Sequence, residues 1–149
     1  NREKGFAIVP SEPLGIGDWT KQGLPLYGHR VAYSATCTVD TVNDRYQVNL
    51  PAWNGVVAQV RVNGEYAGCI YHQPMNCDVT PFIQAGDNTI EVVVYGSLRN
   101  TLGPHHGEGS TGLTHPGSWN NAPEYGPPPG ETYFSIGYGL FEMFTVLSR

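Results

Sequence analysis

Charge is scarce in this chain. Only 14% of its 149 residues are Asp, Glu, Lys or Arg, against about 25% in an ordinary soluble domain. The few charges are unbalanced, with 8 Lys and Arg against 13 Asp and Glu, for a net −5. A nucleic-acid partner needs a surplus of cations to displace condensed counterions, so that class is excluded. No apolar run approaches the roughly 18 residues that would cross a bilayer as a helix, and no membrane partner is expected. Heptads, long amphipathic helices and alternating strand–helix units are missing as well. Cysteine is limited to Cys37, Cys69 and Cys77, an odd number for a disulfide framework. One pair with one free thiol and three reduced thiols both remain open, Cys69 and Cys77 being the nearer candidates for a pair. No signal peptide is visible and the first residue is Asn, which reads as a processed product or a module from a longer protein.

Turn-forming residues are plentiful instead. Nineteen glycines and 12 prolines leave little room for helix interiors, which both disfavour. Between them lie short runs with strand periodicity. Residues 31–39 (VAYSATCTV) and 45–50 (RYQVNL) alternate. In residues 56–62 (VVAQVRV), Val56, Ala58, Val60 and Val62 share one face, with Gln59 and Arg61 on the other. That run meets Asn63-Gly64 and then residues 65–71 (EYAGCIY). An Asn-Gly pair between two such runs predicts a hairpin, because both residues tolerate positive φ. Asp78 is placed to cap a short helical turn containing Pro81. Gly86-Asp87-Asn88 is read as the turn into residues 89–95 (TIEVVVY), and residues 139–147 (GLFEMFTVL) as the last strand. One all-β domain over residues 1–149 follows, a β-sandwich of jelly-roll type. Residues 101–132 lack periodicity but hold Trp119, Tyr125 and several His. So long a loop in a compact domain is usually functional.

The span 50–97 carries a family resemblance through Val62-Asn63-Gly64, Gly68, Asp78-Val79-Thr80 and the Gly86-to-Val92 run. It resembles the galactose-binding-like jelly roll attached to glycoside hydrolases of the β-galactosidase and α-L-rhamnosidase kinds. Upstream, Asp18-Trp19, Gly23, Pro25, Tyr27-Gly28 and Tyr33 are similar to the opening segment of those domains. Downstream, Ser97 to Asn100, Gly103 to His106 and Tyr138 to Phe141 are similar to C-terminal jelly rolls of multidomain glycosidases. The resemblance implies a fold more than a function, since such domains bind sugar, bridge domains or shape a neighbouring active site. It also implies that no cofactor is required, and it allows a structural Ca²⁺, although no Asp-rich loop marks one.

Glycoside hydrolysis needs two carboxylates about 5–10 Å apart across a sugar. Asp78 and Asp87 have turn roles, Glu91 and Glu142 are assigned to strand faces, Asp18 lies in the opening motif, and only Glu108 and Glu124 in the long loop lack a structural reading. The chain is therefore expected not to be an enzyme. His105 and His106 are adjacent, a poor match to the His-x₃₋₅-His spacing of zinc sites. Sugar recognition needs an aromatic face ringed by a few polar groups. Trp19 and Trp53 read as packing residues. Trp119, with Tyr125, His105, His106, Arg99 and Asn100, forms the candidate carbohydrate-binding set. The expected function is a non-catalytic carbohydrate-binding module of a secreted (extracellular or periplasmic) carbohydrate-active enzyme, taking plant-type or microbial polysaccharide, with the parent's catalytic domain as its partner in cis. The alternative is a structural domain that buttresses that catalytic domain and binds no glycan.

Overall fold

The computed structural model describes residues 12–42, 45–103 and 134–148. In chain order the strands are β1 (Arg30–Val39), β2 (Tyr46–Asn49), β3 (Trp53–Asn54), β4 (Val57–Val62), β5 (Glu65–Ile70), β6 (Asn76–Asp78), β7 (Gly86–Tyr95), β8 (Gly139–Leu140) and β9 (Thr145–Ser148). The one described α-helix, α1, is a single turn, Arg99–Leu102. Short 3₁₀ turns sit at Trp19–Lys21 and Thr80–Phe82. The fold is all-β, and every strand pairing among the described residues is antiparallel.

Strand β7 shows why the sheets assemble as they do. Its run of β-branched residues suits a pleated surface, and β1 and β4 cover its two edges in the order β1-β7-β4-β5. Ile90, Val92 and Val94 of β7 and Ala58, Val60 and Val62 of β4 are fully buried. The three-stranded sheet β6-β2-β9 adds Tyr46 and Val48 to the same buried cluster. Trp19, Leu140 and Phe144 join the same cluster, so the described strands share one core. Each aliphatic side chain buried there stabilises the fold by about 1.5–3 kcal/mol.

The β4–β5 hairpin forms where the sequence places it. Asn63 has φ 52° and Gly64 φ 85°, the paired positive values of a type I′ turn. Val62 pairs with Glu65 across it. Val56 departs from the expected core face. It is 59% exposed, because the ladder starts at Val57 and the period-2 rule binds side chains only within a paired strand. Its amide still reaches the Tyr95 carbonyl at 2.8 Å. Gly86-Asp87-Asn88 also differs: these residues already belong to β7, where Gly86 pairs with Val39. The final run is two strands, with Glu142 in the bend between them rather than on a strand face. Arg99 and Asn100, two of the candidate carbohydrate contacts, lie in α1, and Thr101 and Leu102, read as the start of the long loop, complete that turn.

Asp78 ends β6 one residue before Val79, the N-cap of the 3₁₀ turn, yet its carboxylate still reaches the first residue of that turn. Its Oδ1 accepts from the Thr80 amide at 3.0 Å and the Thr80 hydroxyl at 2.6 Å. These bonds, led by the hydroxyl, hold the carboxyl below its ordinary range.

All three thiols are free, so Cys69 and Cys77 are not joined. Strand parity gives the reason. Cys69 pairs with Gln59 on the outward face of β5, whereas Cys77 packs against the core, its Sγ close beneath Gly68 of the opposite parity. Burial first, then the neighbouring Cys69 and Asp78, push the Cys77 thiol up. Less thiolate at a given pH means slower alkylation. Mass mapping of iodoacetamide adducts near pH 8 should therefore find exposed Cys69 modified before Cys77; the reverse order would contradict this packing.

Candidate functional site

The outward face of the four-stranded sheet collects polar side chains from strands far apart in sequence. Register does this. Arg30 lies opposite Tyr95, and Tyr95 opposite Val57. Two residues along, Ala32, Val93 and Gln59 are aligned, and two further, Ser34, Glu91 and Arg61. Tyr66 continues that last row onto β5 beside Arg61. The result is a shallow cleft of about 250 Å³ lined by Arg30, Ala32, Gln59, Arg61, Glu91 and Val93. Val93 is buried yet stands outside the core cluster. It forms an apolar floor under the polar side chains.

A hydrogen-bonded chain crosses this cleft. Arg30 Nη1 donates to the Tyr95 hydroxyl at 3.2 Å, and that hydroxyl donates to Gln59 Oε1 at 3.1 Å. The Arg30 guanidinium also lies 5.9 Å from the Tyr95 ring centroid, within cation–π range. The Tyr95 bond is the first cause that raises the Arg30 pKa, so the cation is held charged. Arg61 and Glu91 form a loose pair, Nε to Oε1 at 4.0 Å. That separation is too long for a hydrogen bond, and Arg61 Nε has no hydrogen-bond partner. On the β5 side Tyr66 is 57% exposed, and the neighbouring Cys69 is the leading cause that raises its phenol pKa.

A second groove, of about 380 Å³, runs from residues 37–41 to Tyr46, Val146 and Ser148. Its one charged side chain is Asp40 and its one aromatic is Tyr46, a core residue. It offers neither a stacking face nor a hydrogen-bonded polar chain. The sheet face is the better candidate.

The residues singled out from the sequence divide. Trp119, Tyr125, His105 and His106, together with Glu108 and Glu124, lie outside the described residues. Arg99 is half-buried, with its guanidinium 5.9 Å from the Phe134 ring. Asn100 is 0% exposed. Its Nδ2 donates to the Ile136 carbonyl at 2.7 Å and its Oδ1 accepts from the Ile136 amide at 2.8 Å. It clamps the returning chain. Trp19 is likewise 0% exposed, and Trp53 is half-buried against the core, as packing residues should be.

Three described carboxylates have structural partners. Asp18 caps the first 3₁₀ turn through Thr20, Asp87 accepts from the Thr38 hydroxyl at 2.7 Å, and Glu91 faces Arg61. Among the described residues no three His, Cys, Asp or Glu side chains are grouped so that they could hold a metal ion. No helix of the described residues is long and apolar enough to cross a membrane.

The sheet-face set escaped sequence reading because its members come from three strands. One signal was legible. Gln59 and Arg61 alternate against the core-facing residues of their strand, and Glu91 does the same in the valine run.

No protein-family profile matches the chain, and no curated protein matches it. Among solved structures it is similar to a rhamnosidase from Novosphingobium sp. PP1Y, at 23% identity and a TM-score of 0.59. It is also similar to a β-glucuronidase from Bifidobacterium dentium complexed with coumarin-3-O-glucuronide, at 24% identity and a TM-score of 0.45. The first alignment covers 85% of this chain and 12% of the rhamnosidase; the second covers 53% and 14%. At these identities the first likeness is one of fold, and the second adds nothing to it. The chain thus matches a small part of each of two glycoside hydrolases.

Proposed function

We propose that this chain is a non-catalytic accessory domain of a secreted glycoside hydrolase, a galactose-binding-like jelly-roll sandwich that binds carbohydrate for a catalytic domain in the same polypeptide. The observation that carries the binding role is the sheet-face cleft, where tyrosines, Arg30, Gln59, Arg61 and Glu91 surround an apolar floor. A sugar presents apolar C–H faces and hydroxyls that both donate and accept, and a floor of this kind with a few placed polar groups suits it. The fold likeness to 12% of a rhamnosidase supports an accessory part rather than a whole enzyme.

Trp119, Tyr125, His105, His106 and Arg99 remain proposed as further sugar contacts. Affinity electrophoresis of the chain through gels containing plant and microbial polysaccharides tests the proposal. Retardation by at least one polysaccharide is expected. A Gln59→Ala variant should weaken it about tenfold, the equivalent of about 1.4 kcal/mol. If Trp119→Ala abolishes retardation while Gln59→Ala does not, the site belongs to the segment holding Trp119. If no polysaccharide retards the chain, the binding role is wrong.

A purely structural accessory role has its own observation. Leu98, Leu102, Leu26 and Phe134 expose apolar surface on or beside α1, where a neighbouring domain of the same polypeptide would dock.

A further inference from the structure

We infer that the sheet-face cleft selects an acidic glycan, one whose sugar carries a carboxylate. This rests on the binding role proposed above and names its ligand class. The argument is one of hydrogen-bond polarity. Gln59 Oε1 already accepts one hydrogen bond, from the Tyr95 hydroxyl, and the Gln59 amide nitrogen brings two further donors to the cleft. Arg30 spends one guanidinium nitrogen on Tyr95 and is otherwise exposed. The Arg61 side chain is 41% exposed, and its pairing with Glu91 stops at 4.0 Å. The polar lining is thus rich in donors, with Glu91 its single acidic acceptor.

A hydroxyl satisfies a donor or an acceptor equally well, so neutral sugars gain little from this bias. A carboxylate accepts only, and guanidinium donors bind it through charge-assisted, often paired hydrogen bonds. Charge points the same way. Two arginines face one glutamate in the cleft, within a chain of net charge −5. The arginines are also spread along the strand. Arg30 aligns with residue 95 of β7 and Arg61 with residue 91, an offset of about 13 Å at the usual strand rise. That span exceeds one sugar ring and fits a short oligosaccharide.

The probe is unesterified polygalacturonate, compared by affinity electrophoresis with the same polymer fully methyl-esterified and with a neutral galactan. Both chain and acid polymer are anionic, so non-specific attraction cannot produce retention. The unesterified polymer should retard the chain and the ester should do so at least about tenfold less well. Arg61→Gln and Arg30→Gln should each weaken retention about tenfold. Arg45→Gln, which makes the same charge change at the exposed pair with Asp78, should leave it unaltered. Thermal melting of each variant at the wild-type temperature separates lost contact from lost fold. Equal retention by acid and ester, or equal effects of Arg61→Gln and Arg45→Gln, would overturn the acidic-ligand inference and leave the binding role intact. Retention by none of the polysaccharides would overturn both.

Discussion

Trp19→Ala is expected to destabilise the protein by about 3–5 kcal/mol, the range for emptying a buried aromatic site. The indole is 0% exposed. It packs on Tyr138 with ring centroids 5.7 Å apart and on Tyr27 at 6.1 Å. Its Nε1 donates to the Tyr27 carbonyl at 3.1 Å. Gly96 is what lets it in: a Cβ there would stand 2.8 Å from an indole carbon, well inside contact distance. Truncation removes the ring, opens a cavity that these rigid neighbours fill poorly, and strips the Tyr27 carbonyl of its donor. Trp19→Phe should cost less, about 1–3 kcal/mol, because much of the packing survives and the hydrogen bond does not. Urea unfolding midpoints measure both. A loss below about 1 kcal/mol for Trp19→Ala would mean that the opening segment does not seat in the core as described.

Asn88→Leu carries the second large effect, about 3–4 kcal/mol, although leucine matches the side chain in size. Asn88 is fully buried, and both ends of its amide are used. Oδ1 accepts from the Gln84 amide at 2.9 Å and from Asn63 Nδ2 at 3.0 Å. Nδ2 donates to the carbonyls of Gln84 at 2.8 Å and Gly86 at 3.1 Å. Leucine leaves these backbone groups without partners, at about 1–3 kcal/mol for each one that water does not reach. The Asn63 link also ties the β4–β5 hairpin tip to the turn that starts β7. A double-mutant cycle with Asn63→Gly, which keeps the positive φ acceptable, should return a coupling of about 1 kcal/mol. Additive losses would show that the hairpin and the turn are held independently.

Much of the fold was legible because period-2 alternation is a local property. The runs that became β1, β4, β5 and β7 each announced themselves, and Asn63-Gly64 fixed one connection by backbone chemistry alone. Val56 was misread where alternation continued past the first paired residue. The candidate site was harder for a general reason. Arg30, Arg61, Glu91 and Tyr95 meet only through the register of three strands, and no spacing within the chain encodes that register. Asn100 shows the converse. A polar residue after a strand resembles a surface ligand, and its burial depends on Ile136, 36 positions away.

The Asn100–Ile136 pair has a consequence for evolution. Together with Asn54 Nδ2, which donates to the Gly137 carbonyl at 2.6 Å, it fastens the chain where it comes back to the sheets. The described chain on either side, at Asn100 and at residues 136–137, is therefore pinned in place. Between two pinned points, doubling the length of a connection adds only about 0.6 kcal/mol of closure entropy, and the clamp at Asn100 and Ile136 shields β8 and β9 from such a change. This is a place where insertions, deletions and new specificities can accumulate while the rest of the architecture is inherited unchanged.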